Sequence, residues 1–325
     1  MKASLIPLEI ALEMLRRGEC VAIPTETVYG LAADATRPDS VARIFAWKGR
    51  PAFNPLIVHG SSYEALLPYA HFNPLAERLA KAFWPGPLTL VLPKKETIPE
   101  IVTAGHATVA VRVPNHPLTL TLLRELDFPL AAPSANRSGR ISPTCARDVM
   151  DEFEAFPLGI LDGGPCSIGL ESTVLYVPQE PDRPPKILRP GGVALETLQA
   201  FLGQPIDIES TASPEAGYRS PGLLSTHYAP SKPLHLISPE EPHDPPPRAA
   251  WIGYGATTPS GYDKIWNLST AIDSIEAAPR LFQALRAFDR DPTLLVAYAW
   301  EWPEEGLGRA INDRLRRAST KKNLP

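Results

Sequence analysis

Cysteine is scarce in this chain: three residues, Cys20, Cys145 and Cys166, among 325. Their wide separation fits neither a metal-ligand pair nor a disulfide framework, which excludes zinc modules and predicts three buried, reduced thiols. Long apolar runs are missing too, so no segment is expected to cross a bilayer. The first apolar stretch, Leu8 to Leu15, is interrupted by Glu9 and Glu13. It reads as an amphipathic surface helix, not a signal peptide, and a cytoplasmic protein without membrane attachment is expected. Positive charge shows no excess: 32 Lys and Arg against 36 Asp and Glu leave a net charge of -4. A dedicated nucleic-acid binder gains most of its affinity by neutralising phosphates, so that class is disfavoured, while a local basic cleft for a nucleotide stays open. The common nucleotide and hydrolase signatures are absent as well. There is no Gly-x-x-x-x-Gly-Lys-Ser/Thr loop, no Gly-x-Gly-x-x-Gly after a strand and no Gly-x-Ser-x-Gly elbow. Any ATP handled here must be cradled in another way.

What is present is the balance of a soluble globular protein, 44% hydrophobic and 21% charged, in a chain long enough for two domains. Leu8, Leu12 and Leu15 recur at helical spacing, and Gly18 is placed to stop that helix. Strands are expected at Val21–Ile23, Leu56–Val58, Leu88–Leu92, Val109–Val113, Leu130–Ala132, Ile160–Leu161, Thr173–Val177 and Ile187–Leu188. Helices are expected at Ser40–Ala46, Leu75–Phe83, Leu118–Leu126, Ala146–Phe153 and Leu195–Leu202. This alternation argues for an α/β domain over 1–206. Ser, Pro, Gly and Glu then dominate 207–232, a linker composition. The remainder, 233–325, alternates again: strands at Leu234–Ile237, Ala250–Ile252 and Leu294–Ala297, a helix carrying Leu281, Leu285 and Phe288, and a last helix from Ala310. A smaller second α/β domain follows from that pattern.

Several polar clusters sit beside expected strands. Pro24-Thr25-Glu26-Thr27-Val28-Tyr29-Gly30 follows a strand, where open α/β sheets place ligands; on chemistry alone a hydroxyl-rich turn capping a next helix is the favoured reading. Lys48 and Arg50 lie two apart in a loop bounded by Gly49 and Pro51, so both could face one polyphosphate or simply be solvated. His59 closes the following strand. Arg112 stands inside the apolar run Val109 to Pro114, and a buried guanidinium needs an anion, an internal carboxylate or, the favoured reading, a substrate carboxylate. Ala131 to Asn136 offers small residues and then a hydroxyl and an amide. Gly169-Leu170-Glu171-Ser172-Thr173 has the same character, and Arg189 lies beside Gly191 and Gly192. Together they suggest one cleft without specifying a reaction.

Thr25 to Leu31, Lys48-Gly49-Arg50-Pro51 with Asn54-Pro55-Leu56, and Trp84-Pro85-Gly86-Pro87-Leu88-Thr89 resemble motifs of the YrdC-like threonylcarbamoyl-adenylate synthases. Ala132 to Asn136 and Leu188 to Gly192 extend the likeness in the family's order, over roughly residues 5 to 205. Ser225 to Pro230 resembles the linker motif of the two-domain long form, and Gly306 to Arg314 its C-terminal signature. The resemblance implies a YrdC-like twisted open mixed sheet with flanking helices, plus a smaller Rossmann-like α/β domain. It implies that L-threonine, bicarbonate and ATP are joined into threonylcarbamoyl-adenylate for a tRNA modification next to the anticodon. By position, Lys48, Arg50, Ser134 and Asn136 resemble the tetrad around the phosphates, and Asn54, Thr108, Ser142, Arg189 and Tyr228 the other ATP contacts. Thr27, His59, Arg112, Ala132 and Ser172 resemble the threonine pocket. Magnesium is expected to accompany ATP, with no resident metal and no tightly bound organic cofactor. The product is expected to pass to the tRNA threonylcarbamoyl-transfer machinery, with direct tRNA binding weak or absent. The linker around Tyr228 is expected to fold over the cleft as a lid. Carbamoyl transfer from carbamoyl-phosphate on the same fold is disfavoured by the missing zinc-module cysteines, and RNA binding alone by the acidic net charge.

Overall fold

The computed structural model describes residues 2–180, 183–209, 228–238 and 244–319. The chain opens with β1 (Ser4–Leu5), α1 (Leu8–Arg16), β2 (Val21–Ile23) and β3 (Gly30–Asp34). There follow α2 (Pro38–Lys48), β4 (Ile57–His59), α3 (Tyr63–Leu66), α4 (Pro74–Phe83) and β5 (Leu88–Pro93). Next are α5 (Glu100–Thr103), β6 (Thr108–Arg112), α6 (Pro117–Arg124), β7 (Leu130–Ala131), α7 (Ala146–Glu152) and β8 (Gly159–Ile160). The first unit closes with β9 (Thr173–Tyr176), β10 (Lys186–Arg189), α8 (Leu195–Leu202) and β11 (Asp207–Ile208). The second holds β12 (Leu234–Ile237), β13 (Ala249–Gly253), β14 (Lys264–Asn267), α9 (Ser274–Arg290), β15 (Val296–Trp300) and α10 (Gly308–Ser319).

α1 ends where Gly18 adopts φ +76, its N–H bonded to the Leu15 carbonyl at 2.9 Å, a backbone conformation that glycine reaches without a Cβ penalty. The first unit forms an 11-stranded sheet in the order β1-β8-β2-β3-β7-β4-β6-β5-β9-β10-β11. Parallel pairs such as β4 with β6 occur beside antiparallel ones such as β5 with β6, so the sheet is mixed. Side-chain alternation buries both faces: Ala22 joins one apolar cluster with Val58 and Val111, while Val21 and Ile23 join another with Leu15 and Leu123. The smaller sheet, β12-β15-β13-β14, is wholly parallel and carries α9 and α10, a Rossmann-like layer.

The two units share apolar packing. Val28, Ile141 and Leu170 of the first belong to the same cluster as Leu281, Phe282, Leu285 and Phe288 of α9. Gly169 lies so close to α9 that a Cβ there would come within 2.3 Å of the Pro279 Cα, so the contact requires glycine. Arg286 donates to the Ile141 carbonyl, and Arg290 bonds Asp148 at 2.9 Å and Asp151 at 2.7 Å.

Four expectations change. Residues 30–34 form strand β3, so the polar segment before them is a strand-to-strand turn and caps no helix. Lys48 is the last residue of α2, not a loop residue, and Gly49 (φ 61) caps that helix. Cys145 is only partly buried, while Cys20 and Cys166 are buried as expected. Burial raises all three thiols above their ordinary pKa, Cys20 to about 12, which keeps them protonated. The expected linker begins inside the large sheet, at β11, and its residues 210–227, including the Ser225-Thr226-His227 part of the motif and most of the expected lid, lie outside the described residues.

Candidate active site

β4 and β6 are parallel with His59 directly opposite Arg112 in register, so both side chains stand at the same C-terminal edge of the sheet. β7 adds its end next to β4. The chain leaves β2 through the turn at residues 24–29, which returns beside that edge. There the Thr25 hydroxyl accepts from the N–H groups of Thr27 and Val28, both at 3.1 Å, and donates to the Val28 carbonyl at 2.6 Å. This hydroxyl-closed turn fixes Thr27. Its Oγ1 accepts from Arg112 Nη1 at 3.0 Å.

Arg112 is held from three sides. Nε donates to the Gly86 carbonyl at 3.1 Å, which gives the Trp84-to-Thr89 motif its role, and Nη2 lies 2.8 Å from Glu26 Oε1. Both members of that ion pair are buried. The buried guanidinium thus has an internal carboxylate and does not depend on a substrate's, contrary to the expectation from its strand position. The Glu26 oxygens accept no aligned hydrogen bond, so the pair is in contact without directional bonding. Its carboxylate was not among the candidate site residues. The only sequence signal for it is an acid three residues past a buried strand.

His59 is buried, with Nδ1 3.1 Å from the Ile57 carbonyl. Burial, and then the neighbouring Arg112 charge, lower its pKa to about 3, so the imidazole is neutral. Between that value and the ordinary 6.5 the unfolded chain binds a proton that the folded chain refuses. Stability from this residue is therefore full above about pH 6.5 and is lost as the pH falls through that window. In a nuclear magnetic resonance titration the His59 ring signals should stay those of the neutral form down to about pH 4.5; an inflection near 6.5 would contradict this. His59→Gln should flatten the acid limb of the stability profile.

At the other end of the cleft, Arg50 Nε donates to the Asn54 carbonyl at 3.0 Å, and Nη2 donates to Asn54 Oδ1 at 2.7 Å and the Pro55 carbonyl at 2.8 Å. Burial and the nearby Arg189 both work against the Arg50 charge and depress its pKa, yet a guanidinium stays protonated. Two like charges held near each other and away from water favour an anion between them. Ser134 Oγ donates to Asn136 Oδ1 at 2.5 Å, and Asn136 Nδ2 donates to the Arg137 and Arg140 carbonyls. Lys48 Nζ donates to the carbonyls of Ser134 and Asn136, both at 2.5 Å. Ser172 Oγ pairs with Thr89 Oγ1 at 2.7 Å, and Arg189 Nη2 donates to the Ser172 carbonyl at 2.9 Å.

Thr27, Arg50, His59, Arg112, Ala132, Ser134, Ser172, Arg189 and Tyr228 all line this one cleft, with Glu171 among them. Lys48, Asn54, Asn136 and Ser142 stand behind its wall, each bonded to a residue that forms it. Thr108 is not brought in: it opens β6 and Arg112 ends it, about 13 Å away at strand spacing. Glu171, also outside the candidate set, accepts from Ser142 Oγ at 2.5 Å and from Arg314 Nε at 2.8 Å. Among the described residues no group of three His, Cys, Asp or Glu could hold a metal ion.

The family described as telomere recombination, Sua5/YciO/YrdC, matches residues 13–191. A second, described as threonylcarbamoyl-AMP synthase, C-terminal domain, matches residues 193–320. The chain is 42% identical over 328 residues to a threonylcarbamoyl-AMP synthase of Pyrococcus abyssi, covering 96% of this chain and 94% of the relative. It is 41% identical over 324 residues to one of Bacillus subtilis, covering 95% and 92%. The crystal structure of P. abyssi Sua5 complexed with L-threonine superposes with a TM-score of 0.86 at 40% identity, covering 98% of this chain and 96% of that one.

Proposed function

Because this chain belongs to the Sua5/YciO/YrdC family in the form that carries the threonylcarbamoyl-AMP synthase C-terminal domain, its activity is synthesis of threonylcarbamoyl-AMP for tRNA modification, and we propose that the cleft described above performs it from L-threonine, bicarbonate and ATP. The observation that carries this reading is the pairing of two recognition ends in one cleft. Arg112, Thr27, His59 and Ser172 suit an amino acid with a carboxylate and a hydroxyl, while Arg50, Ser134 and Arg189 suit a polyphosphate.

In this reading the threonine carboxylate shares Arg112 with Glu26, and the unprotonated amine bonds to carbon dioxide formed as bicarbonate loses water, giving up one N–H proton to solvent to leave a carbamate. A carbamate oxygen bonds to the α-phosphorus of ATP while the bond from that phosphorus to the bridging oxygen breaks, releasing diphosphate. No protein nucleophile is needed. Arg50 and Arg189 stabilise the phosphoryl oxygens, and magnesium arrives on the ATP phosphates. Lys48 and Asn136 act from behind, shaping the loop that presents Ser134. Neutral His59 orients the substrate through hydrogen bonding and does not serve as an acid. The product is handed to a tRNA threonylcarbamoyl-transfer machinery. A cytoplasmic setting fits that supply, and no helix among the described residues is long and apolar enough to cross a membrane.

Diphosphate release is the test, with threonine or bicarbonate omitted in separate arms. Release should require both; release that ignores threonine would overturn the reading. L-serine should react with a kcat/KM about 10–200-fold lower, the range expected for one missing methyl group in an apolar pocket.

A further inference from the structure

We propose that Arg314, on the last helix of the second unit, is a positioning residue for the ATP end of the cleft, an inference that rests on the function proposed above. Arg314 is fully buried and reaches out of α10 into the first unit. Its Nε donates to Glu171 Oε2 at 2.8 Å, and its Nη1 donates to the Pro190 carbonyl at 2.9 Å and to Asp313 Oδ2 at 2.7 Å. Its guanidinium carbon lies 5.2 Å from the centroid of the Tyr228 ring, which stacks on Phe282 from α9 at 5.6 Å. One cation from the second unit therefore touches Glu171, the residue after Arg189, and Tyr228. Glu171, Arg189 and Tyr228 all line the cleft.

The charges explain what that contact does. Glu171 is a buried carboxylate at the ATP end, close enough to Arg189 for each to influence the other's ionisation. Left to itself it would turn toward the cleft cations and compete with phosphate oxygens for them. Arg314 occupies one carboxylate oxygen and Ser142 the other, so each Glu171 oxygen already has a donor other than the phosphate-binding cations, and the carboxylate stays ionised. The same guanidinium supports the face of Tyr228, whose backbone sits at φ 61 where the chain enters the second unit. Generic adhesion between the units does not need this arrangement, because the Gly169–Pro279 packing and the Arg286 and Arg290 bonds already supply it.

The test uses the full-length protein with Arg314→Met, Arg314→Lys, Arg314→Met/Glu171→Gln and, as an interface control, Arg309→Ala, which breaks the ion pair to Glu196 elsewhere between the units. Diphosphate release gives KM for ATP and for threonine, calorimetry gives ATP affinity, and thermal unfolding reports the fold. Arg314→Met should weaken ATP about tenfold in both assays while KM for threonine moves less than about twofold, within the range of coupled neighbours. Arg314→Lys should recover part of that loss, as should neutralising Glu171 in the double variant. Arg309→Ala should lower the melting temperature at most, leaving both KM values in place. Lower stability of Arg314→Met with unchanged ATP affinity overturns the proposal, as does an equal change in Arg309→Ala. If Arg314→Met does not fold, the lysine variant decides: wild-type stability with weakened ATP supports positioning, and unchanged ATP affinity overturns it. Wild-type protein that binds ATP but shows no threonine-dependent release would sink the synthase reading instead, while the ATP affinities would still decide the role of Arg314.

Discussion

Arg50→Ala should lower kcat for threonine-dependent diphosphate release by roughly 10²–10³, the usual cost of deleting one preorganised donor to a developing oxyanion. The reason lies in how the residue is held. Three bonds to Asn54 and Pro55 fix the guanidinium before any ligand arrives, so its electrostatic effect requires no reorganisation during reaction. The fold should barely respond. Losing the side chain leaves those acceptors without donors but also removes a buried positive charge that the nearby Arg189 opposes. These effects have opposite signs, and the melting temperature should move by only a few degrees, about 1 kcal/mol. Arg50→Lys keeps the charge without the planar fork and should recover no more than part of the rate. An Arg50→Ala enzyme retaining half its activity would remove this residue from the phosphate cradle.

The second large effect concerns Glu26 and Arg112. Deleting either alone strands a buried charge, so Arg112→Met and Glu26→Leu should each cost about 3–5 kcal/mol in urea unfolding. Their responses to substrate should differ. In Glu26→Leu the guanidinium has lost its internal anion, so added L-threonine should raise the melting temperature more than it does in the wild type. In Arg112→Met threonine should have no stabilising effect. The double variant Glu26→Leu/Arg112→Met should regain most of the lost stability, because an apolar pair of similar volume replaces a buried ion pair at little net cost. It should not regain threonine-dependent release. A double variant as unstable as the sum of its parents would show that the charges are not coupled, and one that still responds to threonine would remove Arg112 from carboxylate recognition.

Much of this architecture was readable from spacing. Gly18 stops α1 as expected because only a residue without Cβ closes that helix at φ +76 so cheaply. The β-branched runs of β4 and β6 and the leucine stripe of α9 announced themselves by period. β3 did not, since Gly30-Leu31-Ala32-Ala33-Asp34 has low strand propensity and becomes a strand only because its neighbours on both sides bury it. The cleft was legible as a set of polar groups at strand ends. Which of them face inward was not, because that is decided by partners far along the chain. Lys48 turns away to carbonyls at Ser134 and Asn136, and Arg112 is met by Glu26 from far earlier in the chain. Glu171 stayed hidden for the same reason, its partner Arg314 lying 143 residues later.

That separation also governs the order of assembly during synthesis. Chains fold largely from the N-terminus as they emerge, domain by domain, and contacts of such long range are the last to form. When the large sheet is already complete, α10 has yet to appear, so Glu171 waits in a half-built wall without its cation. The apolar surface of Val28, Ile141 and Leu170 is bare at that stage, because the rest of its cluster comes from residue 228 onward. Until the second unit is made, the nascent first unit therefore carries an apolar patch without its packing partners. That patch is covered once α9 has arrived, whereas Glu171 gains its cation only with α10.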